Sequence, residues 1–329
     1  MTAPKNQHRR QVLALLALSA SPWMAPTALA QGWPDRPIKL VVPYSAGGAA
    51  DQTARMVATQ LGERLKTTVI VDNRPGAGGS IGAAVVAKAI PDGSTLLLDA
   101  TGFTVNPSLL PRMPFDPAKD LVPVSLLMQV PMLLVVPANS PYKTLADLLK
   151  AARARPGRLS FASAGNGSAQ HLAGELFKQG HQLFITHIPY RGGAPALSDL
   201  MAGQVDMMFS AMPASYPLVK SGKLRALAVT SPQRTALVSQ LPTVAEAGLA
   251  GFSAQEWNGL WAPAGTPRPV LDKLEAELRA VMALPDIRQH LAASGAEAVG
   301  SSSGDFSRFV QAETVKWARV IKTAGITLD

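Results

Sequence analysis

Ile38-Lys39-Leu40-Val41-Val42-Pro43-Tyr44-Ser45-Ala46-Gly47-Gly48-Ala49-Ala50-Asp51 passes from an apolar run, through a loop of small residues, into a segment of helical spacing. Ala50, Ala54, Val57, Leu61 and Leu65 then recur at spacings of four, three, four and four, which puts them on one helix face. A strand, a glycine-bearing loop and a helix in that order form the elementary unit of an α/β fold. The same order returns at Leu159-Ser160-Phe161-Ala162-Ser163-Ala164-Gly165-Asn166-Gly167-Ser168-Ala169-Gln170-His171. Leu172 and Leu176 share one face of the helix that follows. The chain therefore carries a coarse internal echo, with no short-period repeat.

Working outward, the first unit continues with strands at 68–71 and 95–98, separated by Asn73-Arg74-Pro75-Gly76-Ala77-Gly78-Gly79, a helix from Ser80 to Ala89, and a Pro91-Asp92-Gly93 turn. A second set begins at Leu133-Leu134-Val135-Val136. There Thr144, with Asp147 three residues on, predicts a capped helix start. Strands are expected at 184–188, 205–209 and 224–229, with a Pro189-Tyr190-Arg191-Gly192-Gly193 turn and a helix closed by Gly203. From Pro267 the tail reads as mostly helical, with Trp317 near its end. The expected architecture is α/β, with mainly parallel sheets flanked by helices and two lobes facing each other across a cleft. Residues 31–129 with 253–329 form lobe I and 130–252 form lobe II, so the chain crosses between lobes at least twice.

The first thirty residues are set apart. Lys5, His8, Arg9 and Arg10 make a basic start, an apolar run spans 12–20, and Ala28-Leu29-Ala30 ends in a small-x-small pattern. The run is shorter than the roughly 20 residues a bilayer span needs. A cleaved signal peptide and a periplasmic mature chain are expected, by the general secretory or the twin-arginine route. Removing thirty of 329 residues leaves 299, enough for two cores, and removing three of 31 cationic residues against 22 anionic ones leaves a charge of +6. The cations are scattered and aromatics are few, which argues against nucleic acid as a partner. With no cysteine and five histidines outside ligand spacing, the sequence supports neither a metal site nor a cofactor.

The two small-residue loops carry the functional reading. In open α/β sheets ligands bind beyond the carboxyl ends of strands, where loops feed helix N-termini. Unpaired first-turn N–H groups and the macrodipole favour an anion there, and glycine allows close backbone approach. Neither loop contains Lys or Arg, so Tyr44, Ser45, Ala46, Gly47, Gly48, Ser163, Ala164, Gly165, Asn166, Gly167 and Ser168 would recognise a small carboxylate with amides and hydroxyls. One such loop alone reads as a tight turn; two matching loops point to a shared ligand, with Gly47 and Gly167 facing it from opposite sides. Asp51 reads as a helix-start carboxylate, and His171 as either a pocket wall or a core residue. Gly78-Gly79-Ser80-Ile81-Gly82 matches a nucleophile elbow, but the strand ends well before Ser80, which argues against an α/β-hydrolase-type enzyme.

Seven stretches, in order, extend the picture: residues 43–48 with Asp51, 73–78, 91–93, 163–168, 189–192, Leu241-Pro242-Thr243-Val244-Ala245-Glu246-Ala247-Gly248, and Trp261-Ala262-Pro263-Ala264-Gly265-Thr266-Pro267. From Trp33-Pro34 to the C-terminus the chain resembles the Bug-type periplasmic solute receptors of tripartite tricarboxylate transporter systems. The resemblance implies a type II periplasmic-binding fold that closes on its ligand. Residues matching Thr101, Tyr190, Gly193 and Ser210 also line family pockets. Family ligands range over dicarboxylates, amino acids and aromatic acids. A non-enzymatic, monomeric receptor is expected, delivering its ligand to membrane permease subunits or else reporting it to a membrane sensor.

Overall fold

The computed structural model describes residues 32–328, so the expected signal segment lies outside the described residues. The first unit is β1 (Ile38–Val42), α1 (Ala49–Leu65), β2 (Val69–Asn73), α2 (Ser80–Ala87), β3 (Thr95–Ala100) and α3 (Gly102–Leu109). Next comes β4 (Leu121–Pro137), a strand of 17 residues. The second unit follows as α4 (Leu145–Ala154), β5 (Ser160–Ser163), α5 (Ala169–His181), β6 (Thr186–Pro189), α6 (Gly193–Met201), β7 (Met207–Ala211), α7 (Met212–Lys220) and β8 (Leu224–Val229). The chain then returns through β9 (Gln255–Pro263) to α8 (Arg268–Met282), α9 (Pro285–Ala293), β10 (Glu297–Ala298) and α10 (Ser303–Ala324).

Strand order is β2-β1-β3-β9-β4-β7-β5-β6, with β10 and β8 also on β4. The parallel expectation holds for β1 with β2 and β3, and for β5 with β6 and β7. Around β4 and β9 the pairing is antiparallel. A parallel neighbour needs a long crossover, whereas these strands reverse the chain as it passes between sheets. From Leu121 to Pro131, β4 pairs with β9; from Met132 onward it pairs with β7 and β8. One backbone thus belongs to both sheets.

Thr230, fully buried, sits where the chain crosses. The Met132 amide donates to its Oγ1 at 2.8 Å, and its own amide donates to the Met132 carbonyl at 2.9 Å. The Ala254 amide, one residue before β9, donates to the Thr230 carbonyl at 3.2 Å. A single residue therefore ties the outgoing strand to the returning one.

Each sheet is covered on both faces. Leu40, Val42 and Leu98 pack under α1 and α8, while Val41, Leu97, Trp257 and Trp261 pack against Phe103 and Phe306 on the other side. In the second sheet Leu134 and Phe161 meet Leu172 and Phe177, and Leu133 and Val135 meet Leu197 and Leu200. Thr144 and Asp147 form the expected capping box on α4. The end of α10 departs from the expected arrangement: Trp317, Val320 and Ile321 bury themselves in the core of the second sheet beside Phe161 and Phe177. The helix begins on the first sheet, where the Ser303 hydroxyl donates to the Pro123 carbonyl. It therefore braces both halves.

Candidate functional site

The loop after β1 is shaped by a carboxylate in the first turn of α1. Asp51 Oδ2 accepts from the Gly47 amide at 2.8 Å and from Arg55 Nε at 2.9 Å. The Arg55 hydrogen bond first, and the Gly47 amide second, hold its carboxyl down at about 2. Asp51 is therefore the helix-start carboxylate the sequence suggested, and it fixes the loop. Gly47 adopts φ +83° and has nothing within 4 Å of where a Cβ would stand, so it faces open space. From behind, Asn73 Nδ2 donates to the Tyr44 carbonyl at 3.0 Å.

Beneath this loop lies an acid that sequence reasoning passed over. Tyr44 Oη donates to Asp99 Oδ1 at 2.8 Å, and the Ala100 amide donates to the same oxygen at 2.7 Å. Burial pushes the Asp99 carboxyl up to about 7 against the opposing pull of those two donors. Its signal was a lone acid ending the apolar run of β3, two residues before Thr101. Thr101 stands at the N-cap position of α3 and is buried, and its hydroxyl has no hydrogen-bond partner among the described residues. Gly102 admits no side chain, because a Cβ would fall 2.8 Å from Tyr44 Oη and 3.0 Å from the Gly78 carbonyl. Asn106 Nδ2 donates to that carbonyl at 2.8 Å. The loops after β1, β2 and β3 thus lock into one unit. Ser80 opens α2 behind them, buried and separated from the end of β2 by Arg74 to Gly79.

The loop after β5 rests on stacked histidines. Ser163 Oγ lies 2.7 Å from His187 Nε2 and accepts from the Gly165 amide at 3.1 Å. The Gly167 amide donates to His171 Nδ1 at 3.1 Å, which places the His171 proton on Nε2, 3.7 Å from Glu175 Oε1. The two imidazoles stack with centroids 3.7 Å apart and planes 9° from parallel. Burial first, and the neighbouring His171 second, press His187 down to about 4. His171, left open between wall and core, is a buried core residue that holds the loop's amide. Ser168 caps α5 by accepting from the His171 amide at 3.3 Å. Ser168→Ala is expected to cost about 1 kcal/mol of stability, measured by denaturant unfolding.

The remaining expected positions separate. Gly192 and Gly193 face open space, and the Gly192 amide donates to the Ala164 carbonyl at 3.2 Å, joining that turn to the β5 loop. Tyr190 Oη is committed to Asp199 at 2.7 Å within its own half, and Ser210 is buried in β7. Ser45, Ala46 and Gly48 lie exposed on the first loop, while Ala164 and Asn166 are half-buried on the second. Gly167 departs from expectation. It has φ +73°, but a Cβ there would lie 2.6 Å from Leu109 Cδ1 and 3.5 Å from Leu328 Cδ2. It packs against the end of α3 and the C-terminal tail, so it and Gly47 do not face the same open space. Beside it Gln170 Nε2 donates to Glu256 Oε1 at 2.7 Å, linking the first turn of α5 to the start of β9.

A two-sheet α/β molecule with glycine loops feeding helix N-termini is the architecture of solute-binding receptors, and the comparisons agree. The sequence pattern of the tripartite tricarboxylate transporter family receptor matches residues 53–326. The chain belongs to this family. It is similar to BugT of Bordetella pertussis, 36% identical over 321 residues that cover 97% of this chain and 98% of BugT. It is also similar to a UPF0065 protein of Pseudomonas sp. strain P51, 42% identical over 317 residues that cover 96% of this chain and 94% of the relative. Among solved structures, R. palustris Rpa4515 with adipate superposes with TM-score 0.78 at 40% identity, covering 90% of this chain and all of that one. MatC of Rhodopseudomonas palustris with bound malate gives 0.73 at 32% identity, over 88% of this chain and 100% of its own. An α/β fold with sheets flanked by helices, as the sequence implied, is also what this chain shares with the periplasmic binding protein BugD, at TM-score 0.74 and 36% identity.

Proposed function

We propose that the cleft captures the carboxylate of a small organic acid for delivery to a membrane permease. The observation that carries this reading is the Gln170–Glu256 hydrogen bond. It ties the first turn of α5 to β9, a strand of the same sheet as β1, so the N-termini of α1 and α5 sit in halves that are joined here. Each supplies first-turn N–H groups and the positive end of a macrodipole without a Lys or Arg in its loop. Ser45, Ala46, Gly47 and Gly48 with Thr101 contact the ligand from lobe I; Ala164, Gly165, Asn166, Ser168, Gly193 and Ser210 do so from lobe II, with Gly167 packed behind them. Asp51, His171, Ser163 and Tyr190 hold those loops in shape. The lobes divide near residues 130 and 253, in keeping with the crossings of β4 and β9. The adipate and malate of the similar structures are small dicarboxylates, and they favour an acid of that size here.

The receptor acts as a monomer without turnover, and Ser80 is a helix-start residue. Its mature chain begins near Gln31 in the periplasm, which N-terminal sequencing of the exported protein checks. Calorimetry tests the binding mode. Converting the ligand's carboxylate to a neutral amide should cost about 1.5–3 kcal/mol, roughly 10- to 100-fold in affinity. Equal affinity for acid and amide would refute it.

A further inference from the structure

Glu256 on β9 is an acid that joins the two halves, through Gln170 of α5. Its register partner on β4 is Val130, and two residues further along the same face Asn258 faces Met128. Val130 and Met128 belong to the core that Ala50 and Ala54 of α1 cover, and Thr53 Oγ1 lies 3.3 Å from Met128 Sδ. Glu256 therefore emerges beneath the first turns of α1. From the opposite side Gln170 of α5 reaches its Oε1. No Lys or Arg forms an ion pair with Glu256 among the described residues, and Gln170 is its only hydrogen-bond donor there. The side chain is half-buried, and burial raises its carboxyl to about 7. One carboxylate oxygen is thus occupied by Gln170, and the other has no hydrogen-bond partner among the described residues.

We infer that Glu256 selects the far end of the ligand, favouring an acid whose distal group donates a hydrogen bond over one that carries a second carboxylate. This rests on the carboxylate-capture reading. When the helix N-termini hold the first carboxylate, a chain of a few carbons extends toward Glu256. A distal hydroxyl would donate to its free oxygen, a charge-assisted bond. A distal carboxylate would instead meet a like charge with no cation to offset it, the arrangement by which interfaces reject wrong partners. Glutamine at this position keeps the shape and the oxygen that Gln170 uses, and adds N–H donors that suit a distal carboxylate.

The test is calorimetry at pH 8 with three matched pairs: succinate and 4-hydroxybutanoate, adipate and 6-hydroxyhexanoate, terephthalate and 4-(hydroxymethyl)benzoate. Wild type should bind the hydroxy acid of its preferred pair about tenfold more tightly than the diacid. Glu256→Gln should erase or reverse that ratio, with thermal melting confirming a folded variant. Gln170→Ala keeps the carboxylate and removes the interlobe donor, so it should weaken both acids alike and leave the ratio unchanged. A wild type that prefers the diacid overturns the inference, as does a ratio that survives in Glu256→Gln. A ratio lost equally in Gln170→Ala also overturns it, because selectivity would then reside in the hydrogen bond between the halves. If no acid of any pair binds wild type, carboxylate capture itself fails and this inference falls with it. If Glu256→Gln does not fold, the wild-type ratio decides alone.

Discussion

Valine at Gly47 is expected to weaken capture of a carboxylate by about 100-fold or more, some 2.7 kcal/mol. Two features make this the most sensitive position on the first loop. Its φ of +83° lies in the left-handed region, where a β-branched side chain is strained. Its Cβ would project into open space, which is where a ligand must approach the backbone. Gly48 is the internal control. It has φ −75°, and a Cβ there would lie 3.4 Å from the Ser45 carbonyl, so Gly48→Ala should be tolerated with a much smaller loss. Isothermal titration of both variants separates strain from blocked access, and melting curves show whether Gly47→Val is folded. A folded Gly47→Val protein within about threefold of wild-type affinity would remove this loop from the site.

The second large effect is on stability. Asp99→Asn should stabilise the protein by about 2–4 kcal/mol at pH 8, with almost no difference at pH 4. Burial raises the Asp99 carboxyl from an ordinary 3.8 to about 7. Over that interval the folded state holds a proton that the unfolded state has released, so wild-type stability falls as pH rises from about 4 to about 7. Asparagine never ionises, yet its Oδ1 can still accept from Tyr44 Oη and the Ala100 amide. Urea unfolding at both pH values measures the difference, and a gain of equal size at pH 4 would show that ionisation is not its source.

Much of the fold was legible because period and punctuation agreed. The β1 loop, the spacing along α1 and the Thr144–Asp147 box are local features, and each stands where the residues indicate. Three of the misses share a cause in proline. Pro123 and Pro131 cut β4 into short apolar pieces, so only 133–136 read as strand, whereas the structure runs from Leu121 to Pro137. Pro107 and Pro217 sit inside α3 and α7, hiding both helices. Phe184, exposed despite its β propensity, drew the β6 expectation toward residues that precede the strand.

The site was legible as loops but not as partners. Nothing near Gly167 in sequence announces Leu109 or Leu328, which tertiary folding brings against it. Nor did Glu256 draw notice, because β9 opens on polar Gln255 and was not read as a strand. Residues that act from far along the chain leave no local pattern to read.

The position of Thr230 bears on how such a molecule moves. Two strands that leave one sheet at separate points are usually free to bend independently. Here Met132 and Ala254 are both fastened to one buried residue. A swing of one half against the other would pivot about that fastening, because sliding either strand would break these bonds. Pro131, immediately beside it, has no amide hydrogen to lose as the backbone twists. The motion left over is a single rotation, which α10 spans, starting on the first sheet and ending in the core of the second. A molecule restricted to one rotation would surrender little freedom on closing, which would leave more of the contact energy with a small ligand as affinity.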